Sequence, residues 1–177
     1  MMKKDPFSDL DRSKRYLVAV SGGPDSMALL DMLFQASYEI EAAHVNYHKR
    51  QSADRDERIV RDYCRRNHIP FHKKDAAYEE YSGNFQAYAR DLRYRYFCTL
   101  SKRYKLEAVL VAHQKDDHIE TYLMQKEKNL SVSCFGLARI NSIQGVQVIR
   151  PLLEYDKKQL QNYCDDQKII YGKDETN

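Results

Sequence analysis

The sequence has no tryptophan, only 4 prolines and 6 glycines in 177 residues, and no Cys-x-x-Cys pair among its 4 cysteines. The wide spacing of Cys64, Cys98, Cys134 and Cys164 excludes the familiar zinc cage and the dithiol redox motif. Reduced, mostly packed thiols are expected instead. No apolar run approaches the ~18 residues that cross a bilayer, and Met1–Asp11 (MMKKDPFSDLD) lacks the apolar stretch of a secretion signal. A soluble, cytoplasmic protein without membrane contact is therefore expected. An excess of charge of one sign is also missing: 29 Lys+Arg stand against 26 Asp+Glu, a formal net charge of +3. That balance excludes an acidic disordered tail and leaves nucleic-acid binding open. Internal repeats and low-complexity segments are absent.

A hydrophobic fraction of 42% with 31% charged residues, at a length typical of one domain, predicts a single globular unit over 1–177. Its positive charge is concentrated. Ala89–Lys105 carries Arg90, Arg93, Arg95, Lys102, Arg103 and Lys105 against Asp91 alone, a local net charge of +5. On a helix this stripe would attract phosphate, although a solvated charged face has the same composition. The 14 tyrosines suit base stacking and an ordinary core equally, and none is assigned to a base.

Tyr16–Val20 is a short β-branched run that ends at Ser21-Gly22-Gly23-Pro24, and helical spacing follows over Asp25–Phe34. Glu39–Asn46 reads as a second strand, Tyr47–Asp56 as a loop, Glu57–Asn67 as a helix and Ile69–Lys73 as a third strand. Phe85, Ala89, Leu92, Tyr96 and Leu100 recur at three or four residues, so Gly83-Asn84 opens a firm amphipathic helix. Glu107–Ala112 predicts a buried strand, Asp116–Lys126 a helix, Val146–Ile149 a last strand stopped by Pro151, and Asp156–Gln167 a helix capped by Asp156. Leu130–Gln144 has weak periodicity and reads as a linker. Alternation of this kind predicts a doubly wound, mainly parallel sheet of about five strands with helices on both faces, flavodoxin-like in outline. Ligands on such sheets sit beyond the strand carboxyl ends. Three segments there carry chemistry: Ser21–Ser26, His44–Arg50 and His113–Asp117.

Ser21-Gly22-Gly23-Pro24-Asp25-Ser26 lies between a strand and a helix, where backbone N–H groups and the positive end of the helix dipole favour an anion. Glycine allows close backbone approach and positive φ, and two serines add hydroxyl donors. Neither Gly-x-x-x-x-Gly-Lys-Ser/Thr nor Gly-x-Gly-x-x-Gly is present, which argues against γ-phosphate hydrolysis and against dinucleotide redox chemistry. Asp25 could ligate Mg²⁺ or merely cap its helix. His113, Asp117 and Glu120 fall at spacings that share one side of a helix start. The carboxylates there could hold a cation, or simply complement the helix dipole. Arg93 sits beside the apolar stripe and can reach the sheet edge, with Arg90 behind it; an ion pair of Arg93 with Asp91 or Glu107 is the plainer alternative.

VAVSGGPDS resembles the Ser-Gly-Gly-x-Asp-Ser signature of the PP-loop family, the N-type ATP pyrophosphatases. That resemblance implies an adenine nucleotide alpha hydrolase-like fold, a loop that grips the pyrophosphate of ATP, and cleavage between the α and β phosphates. Further motifs are similar to the catalytic domain of the tRNA(Ile)-lysidine synthetase family: His44-Val45-Asn46, Ala89-Arg90 with Arg93-Tyr94, Ala112-His113-x-x-Asp116-Asp117-x-x-Glu120-Thr121, Arg150-Pro151-Leu152-Leu153, and the terminal Asp174-Glu175-Thr176-Asn177. They imply ATP as co-substrate with Mg²⁺, and tRNA(Ile) bearing the CAU anticodon together with free L-lysine as partners. The implied reaction adenylates the C2 oxygen of the wobble cytidine, after which the lysine amine displaces AMP.

The same resemblance implies catalytic roles for Asp117, His113, Arg93 and Asp25. It implies nucleotide contacts from Ser21, Gly22, Gly23, Pro24, Asp25, Ser26, His44 and Asn46, and substrate contacts from Arg90, Asp116, Glu120 and Asp174. Two departures stand out: Tyr47 where relatives often carry a second histidine, and Gln125–Ser133 without the Arg-Gly loop common after this helix. The sequence stops where the family's catalytic domain ends, so no C-terminal tRNA-binding domain is expected in it. Other readings remain beside this one: a tRNA thiolase, an amide-forming PP-loop enzyme, or a nucleotide-binding module without turnover. Thiolases commonly need cysteines in a motif, and glutamine-dependent synthetases need an additional domain.

Overall fold

A computed structural model describes residues 5–76 and 83–173. The order of elements is β1 (Arg15–Ala19), α1 (Pro24–Gln35), β2 (Glu39–Asn46), α2 (Ala53–Arg66), β3 (Phe71–Asp75), α3 (Phe85–Tyr104), β4 (Val109–Leu110), α4 (Lys115–Glu127), β5 (Ile140–Ile143), β6 (Val146–Ile149) and α5 (Lys157–Asp166). The six strands lie in the order β3-β2-β1-β4-β6-β5. All neighbours are parallel except β5 and β6. The chain therefore builds outward from β1 through β2 to β3, then returns to place β4 on the other side of β1. This order, rather than the flavodoxin order, puts the topological switch point between β1 and β4.

Strand alternation divides the core into two layers. Tyr16, Val18, Ala42, Leu110 and Ile149 face α1, α2 and α5, where Met27, Leu29, Leu30, Leu33, Val60 and Leu160 are fully buried. Leu17, Ala43, Val109 and Val148 face α3 and its Tyr94, Phe97 and Leu100. Each fully buried aliphatic contributes roughly 1.5–3 kcal/mol. Asp31, buried in α1, accepts hydrogen bonds from the Tyr63 and Tyr163 hydroxyls at 2.6 Å each, tying α1 to α2 and α5.

Local sequence sets most helix starts. The Asn84 side chain accepts from the Ala87 amide at 3.3 Å to open α3, and Asp156 forms a reciprocal capping box with Gln159 to open α5. Four expectations shift. α2 begins at Ala53, inside the segment read as a loop, and β3 is displaced to Phe71–Asp75. β4 has only two ladder residues within the longer run Glu107–Ala112. The largest correction concerns Leu130–Gln144. Its last residues, Ile140–Ile143, form an antiparallel edge strand, joined to β6 by Gln144-Gly145 with φ of 50° and 80°. A turn with both central residues at positive φ is the tight hairpin type that matches strand twist. Among the described residues no helix is long and apolar enough to cross a membrane. All four cysteines are free; Cys64 and Cys164 are buried, Cys98 is half-buried and Cys134 exposed.

Candidate active site

The glycine turn at the end of β1 is organised from within by Ser26. This buried hydroxyl accepts from the Ser21 amide at 3.1 Å and the Gly22 amide at 3.2 Å, and donates to the Gly23 carbonyl at 3.2 Å. Ser21 Oγ lies 3.1 Å from the same oxygen. Two amides expected to face an anion are thus turned onto a protein hydroxyl. The amides in the first turn of α1, which have no acceptor within the helix, remain for a ligand. Pro24 occupies the first helical turn, where its missing N–H removes nothing the helix needs.

Gly22 holds φ at 96°, and a Cβ there would stand 2.9 Å from both the Cβ and the carbonyl oxygen of Asp56. The turn is consequently pressed against α2. Gly172 closes it from the other side, its amide donating to the Gly22 carbonyl at 2.8 Å while Arg55 donates to the Lys173 carbonyl at 3.0 Å. Asp25 does not cap α1: the cap residue is Gly23, which has no side-chain cap hydrogen bond. Its half-buried carboxylate instead lines the cavities around the loop.

Two cavities open at the switch point. One, of about 290 Å³, lies between Ser21, Asp25 and Ser26 on one side and Arg93, Tyr94, His113 and Asp117 on the other. The second, about 310 Å³, is bounded by His44, Asn46, Tyr47, Arg50, Phe85 and Arg93. Ser21, Val45, Tyr47 and Arg93 belong to both, so the two form adjoining compartments. A larger cavity of about 940 Å³ flanks the outer side of the loop, between Asp56 and the lysines Lys157, Lys158 and Lys173. Volumes of this size match small-ligand sites.

His113 lies on the extended segment after β4, one residue before the cap of α4, and not on the helix itself as its spacing suggested. Its Nδ1 accepts from Arg150 Nε at 3.0 Å. Burial, then the positive charges of Arg150, Arg93 and Arg90, push the His113 imidazole down to about 4, against the opposing pull of Asp117. The ring is neutral at physiological pH. Asp117 Oδ2 accepts from the Gln114 amide at 2.8 Å, and Gln114 caps α4 in return by accepting from the Asp116 amide. One oxygen of the proposed catalytic carboxylate is therefore fixed by the helix start.

Arg93 reaches both smaller cavities. The expected alternative partner Asp91 pairs instead with Arg95 and with Gln144. Arg90 is exposed, its guanidinium 5.5 Å from the Tyr94 ring centroid. Asp116 and Glu120 are also exposed on α4 and line none of these cavities. Asp174 lies outside the described residues.

His44 and Asn46 are at the end of β2 with their side chains engaged by the protein. His44 Nδ1 donates to the Val20 carbonyl at 2.8 Å, and burial holds this imidazole below its ordinary pKa. The Asn46 amide donates to Asp54 at 2.9 Å and Glu57 at 2.8 Å, while its oxygen accepts from the His48 amide. The Asn46 side chain is thus engaged at both ends, whereas His44 is engaged at Nδ1 and lines the second cavity. Tyr47, which sequence reasoning treated only as a departure, donates to the Ala89 carbonyl at 2.9 Å and meets Phe85 edge-on at 5.6 Å between centroids. Burial pushes its hydroxyl up to about 12. Among the described residues no three His, Cys, Asp or Glu side chains group closely enough to hold a metal ion.

A glycine turn, a helix N-terminus and a neutral histidine beside a carboxylate, gathered at the switch point of a parallel sheet, define an α/β nucleotide-binding domain of the pyrophosphate-loop class. The chain belongs to the PP-loop domain family, whose model matches residues 2–177. It is 45% identical over 170 residues to tRNA(Ile)-lysidine synthase of Ureaplasma parvum, covering 93% of this chain and 50% of that protein. The synthase of Mycoplasmopsis pulmonis is 40% identical over 162 residues, covering 91% and 56% respectively. The chain spans about half the length of the curated relatives it matches. Among solved structures, the U34-tRNA thiolase NcsA from Methanococcus maripaludis superposes with a TM-score of 0.79 at 16% identity, over 94% of this chain and 61% of that one. The glutamine-dependent NAD+ synthetase of Acinetobacter baumannii gives 0.58 at 15% identity, over 86% and 28%. At such identities these structures share the fold.

Proposed function

We propose that this chain is the catalytic domain of an ATP-dependent ligase that joins L-lysine to C2 of the wobble cytidine in tRNA(Ile) with the CAU anticodon, releasing AMP and pyrophosphate. The observation that carries the reading is the placement of His113, Asp117 and Arg93 across a single cavity from the Ser21–Ser26 loop. In the first step the cytidine C2 oxygen attacks the α-phosphorus of ATP; a P–O bond forms and the bond to the β-phosphate oxygen breaks. The first-turn amides of α1 hold the departing pyrophosphate, and Arg93 opposes the negative charge that grows on the α-phosphate. In the second step the lysine amine attacks C2, the C–N bond forms, and AMP leaves with the electrons of the C–O bond. Asp117 takes the proton that frees the amine lone pair.

Mg²⁺ favours a site of one or two carboxylates completed by substrate phosphates, and the carboxylate of Asp25 at the loop fits that arrangement. Bound there, the ion would neutralise phosphate charge. Asp116, Glu120 and Asp174 remain proposed lysine contacts and Arg90 a proposed tRNA phosphate contact, each reached beyond the cavities described. Thiolation is disfavoured because none of the four cysteines lines any of the three cavities described. Burial also pushes Cys64 and Cys164 up to about 12. A cytoplasmic location follows from a tRNA substrate. The test supplies ATP, labelled lysine and the CAU-bearing isoleucine tRNA, with mass analysis of the nucleosides. Lysidine with equimolar AMP is expected. AMP formation without lysine in the RNA would overturn the substrate assignment, and retained ATP without AMP would favour a binding module.

A further inference from the structure

We infer that Arg150 is a positioning residue that holds His113 as the neutral imidazole with its proton on Nε2, so that His113 serves the reaction as a hydrogen-bond donor and not as a general base. The inference rests on the proposed role of the His113 cavity, but its first test does not need turnover. A guanidinium offers only donors. Arg150 Nε points at His113 Nδ1 from 3.0 Å, so that nitrogen must present its lone pair. A neutral imidazole with a lone pair on Nδ1 carries its proton on Nε2. Among the described residues Nε2 has no protein partner, and His113 lines the cavity opposite the loop.

Arg150 is itself fixed. It is 3% exposed, and its Nη1 donates to the Ala138 carbonyl at 2.7 Å and to Asn141 Oδ1 at 2.6 Å. Its amide donates to the Arg139 carbonyl at 2.8 Å. These partners belong to the edge strand β5 and the residues leading into it, so the β5–β6 hairpin anchors the guanidinium. A second proton on His113 would have to sit on Nδ1, facing another N–H. The groups around the ring are Arg150 after β6, Asp117 on α4, and Arg93 and Arg90 on α3. Only Asp117 favours the cation. His44, by contrast, meets a carbonyl at Nδ1 and must hold its proton there. The two histidines of the site are thus set in opposite tautomers by their partners.

A neutral imidazole held as a donor suits stabilisation of an oxygen on which charge develops, here an α-phosphate oxygen or the cytidine oxygen that leaves with AMP. The same ring cannot take the lysine proton at Nε2, which leaves Asp117 for that task.

The decisive measurement is a long-range ¹H–¹⁵N spectrum of the protein with labelled histidine, assigned with His113→Gln. Nδ1 is expected at the unprotonated position and Nε2 at the protonated one, unchanged from pH 8 to pH 5.5. A proton on Nδ1, or a doubly protonated ring in that range, overturns the inference whether or not the enzyme makes lysidine. Arg150→Met should let His113 titrate nearer its ordinary value of ~6.5, and should lower kcat by about 10- to 100-fold with little change in KM for ATP. Arg150→Lys should recover part of that loss by restoring a charged donor.

If Arg150→Met fails to fold, His113 itself still discriminates. His113→Gln keeps a donor near Nε2 and should retain at least about tenfold more activity than His113→Ala, since one such donor is worth roughly 10²–10³ in kcat. Equal loss in both variants contradicts the donor role. Pyrophosphate release, the product of the first step, serves as the readout in case lysine is the wrong nucleophile, so failure of the substrate assignment remains separable.

Discussion

Replacing Gly22 by alanine would test the pyrophosphate-loop reading at its most constrained point. Two independent costs attach to the added methyl. The backbone at φ 96° lies where an L-residue is disfavoured, by about 1–2 kcal/mol. The new Cβ also meets Asp56 Cβ and the Asp56 carbonyl at 2.9 Å. Neither is the end of a flexible side chain, so relief requires α2 or the loop to move, and overpacking of this kind costs about 1–3 kcal/mol. Together these amount to about 2–5 kcal/mol, a large share of the ~5–15 kcal/mol that stabilises a typical domain. The Gly22 carbonyl also receives the Gly172 amide, so a displaced loop loses its tail contact as well. Urea unfolding should show a midpoint shift of that size at unchanged slope. At urea-free conditions where the variant is still folded, calorimetry should show ATP binding weakened at least about tenfold, the equivalent of ~1.4 kcal/mol. Wild-type stability together with wild-type ATP affinity would refute the argument that the loop is wedged against α2 in its binding conformation.

Three further outcomes follow from the same geometry. Asp117→Ala should leave ATP affinity within a few-fold of wild type and abolish lysine transfer, while loss of its bond to the Gln114 amide costs about 1 kcal/mol of stability; transfer at the wild-type rate would remove Asp117 from the mechanism. Asp31→Ala strands the Tyr63 and Tyr163 hydroxyls that donate to it at 2.6 Å. With about 1.5–3 kcal/mol for each bond to a charged group, it should lower the thermal midpoint by more than any single surface substitution on α3, and a neutral effect would mean that the carboxylate contributes nothing net. The third concerns acid. His113 is held down to about 4, so its neutral form stabilises the fold fully above the unfolded value of ~6.5, and this contribution fades as pH falls towards 4. Of order 3 kcal/mol is lost over that window, and His113→Gln should flatten that part of the stability curve. An identical curve in the variant would show that burial of this ring does not set the acid limb.

What could be read from the amino-acid order and what could not divide along the range of the interactions. The first turn, its helix, the Asn84 and Asp156 caps and the amphipathic α3 depend on neighbours within a few residues, and these stand where periodicity and capping chemistry put them. β5 escaped notice because an edge strand needs a partner on one side only, and Ile140-Asn141-Ser142-Ile143 offers little apolar alternation. Its one local signal was Gln144-Gly145, a turn pair between two isoleucine-containing segments. Helical spacing grouped Glu120 with Asp117; in the fold Asp117 lines the cavity, whereas Glu120 is exposed and lines none of the three described. Asn46 was implied as a nucleotide contact by the family resemblance alone; that its amide also ties β2 to α2 through Asp54 and Glu57 depends on the tertiary fold and has no local signal.

The contact between Arg150 and His113 joins residues 37 apart in sequence, and it exists because β6 is laid next to β4 in the sheet. That pairing carries a consequence for how the site is held together. The glycine turn follows β1 and His113 follows β4, so the separation of the two depends on the short β1–β4 ladder, Leu17 to Val109 and Val18 to Leu110. Two ladder residues are a weak hold by themselves. β6 reinforces it twice, by pairing Val148 and Ile149 with the same two β4 residues and by sending Arg150 onto the ring of His113. The β5–β6 hairpin, at the opposite side of β4 from the phosphate loop, is therefore part of what fixes the distance between the loop and the imidazole. Substitutions that loosen the hairpin, such as replacing Gly145 with a β-branched residue that resists φ of 80°, should lower turnover more than ATP affinity, because the loop on β1 keeps its own supports in α2 and Gly172.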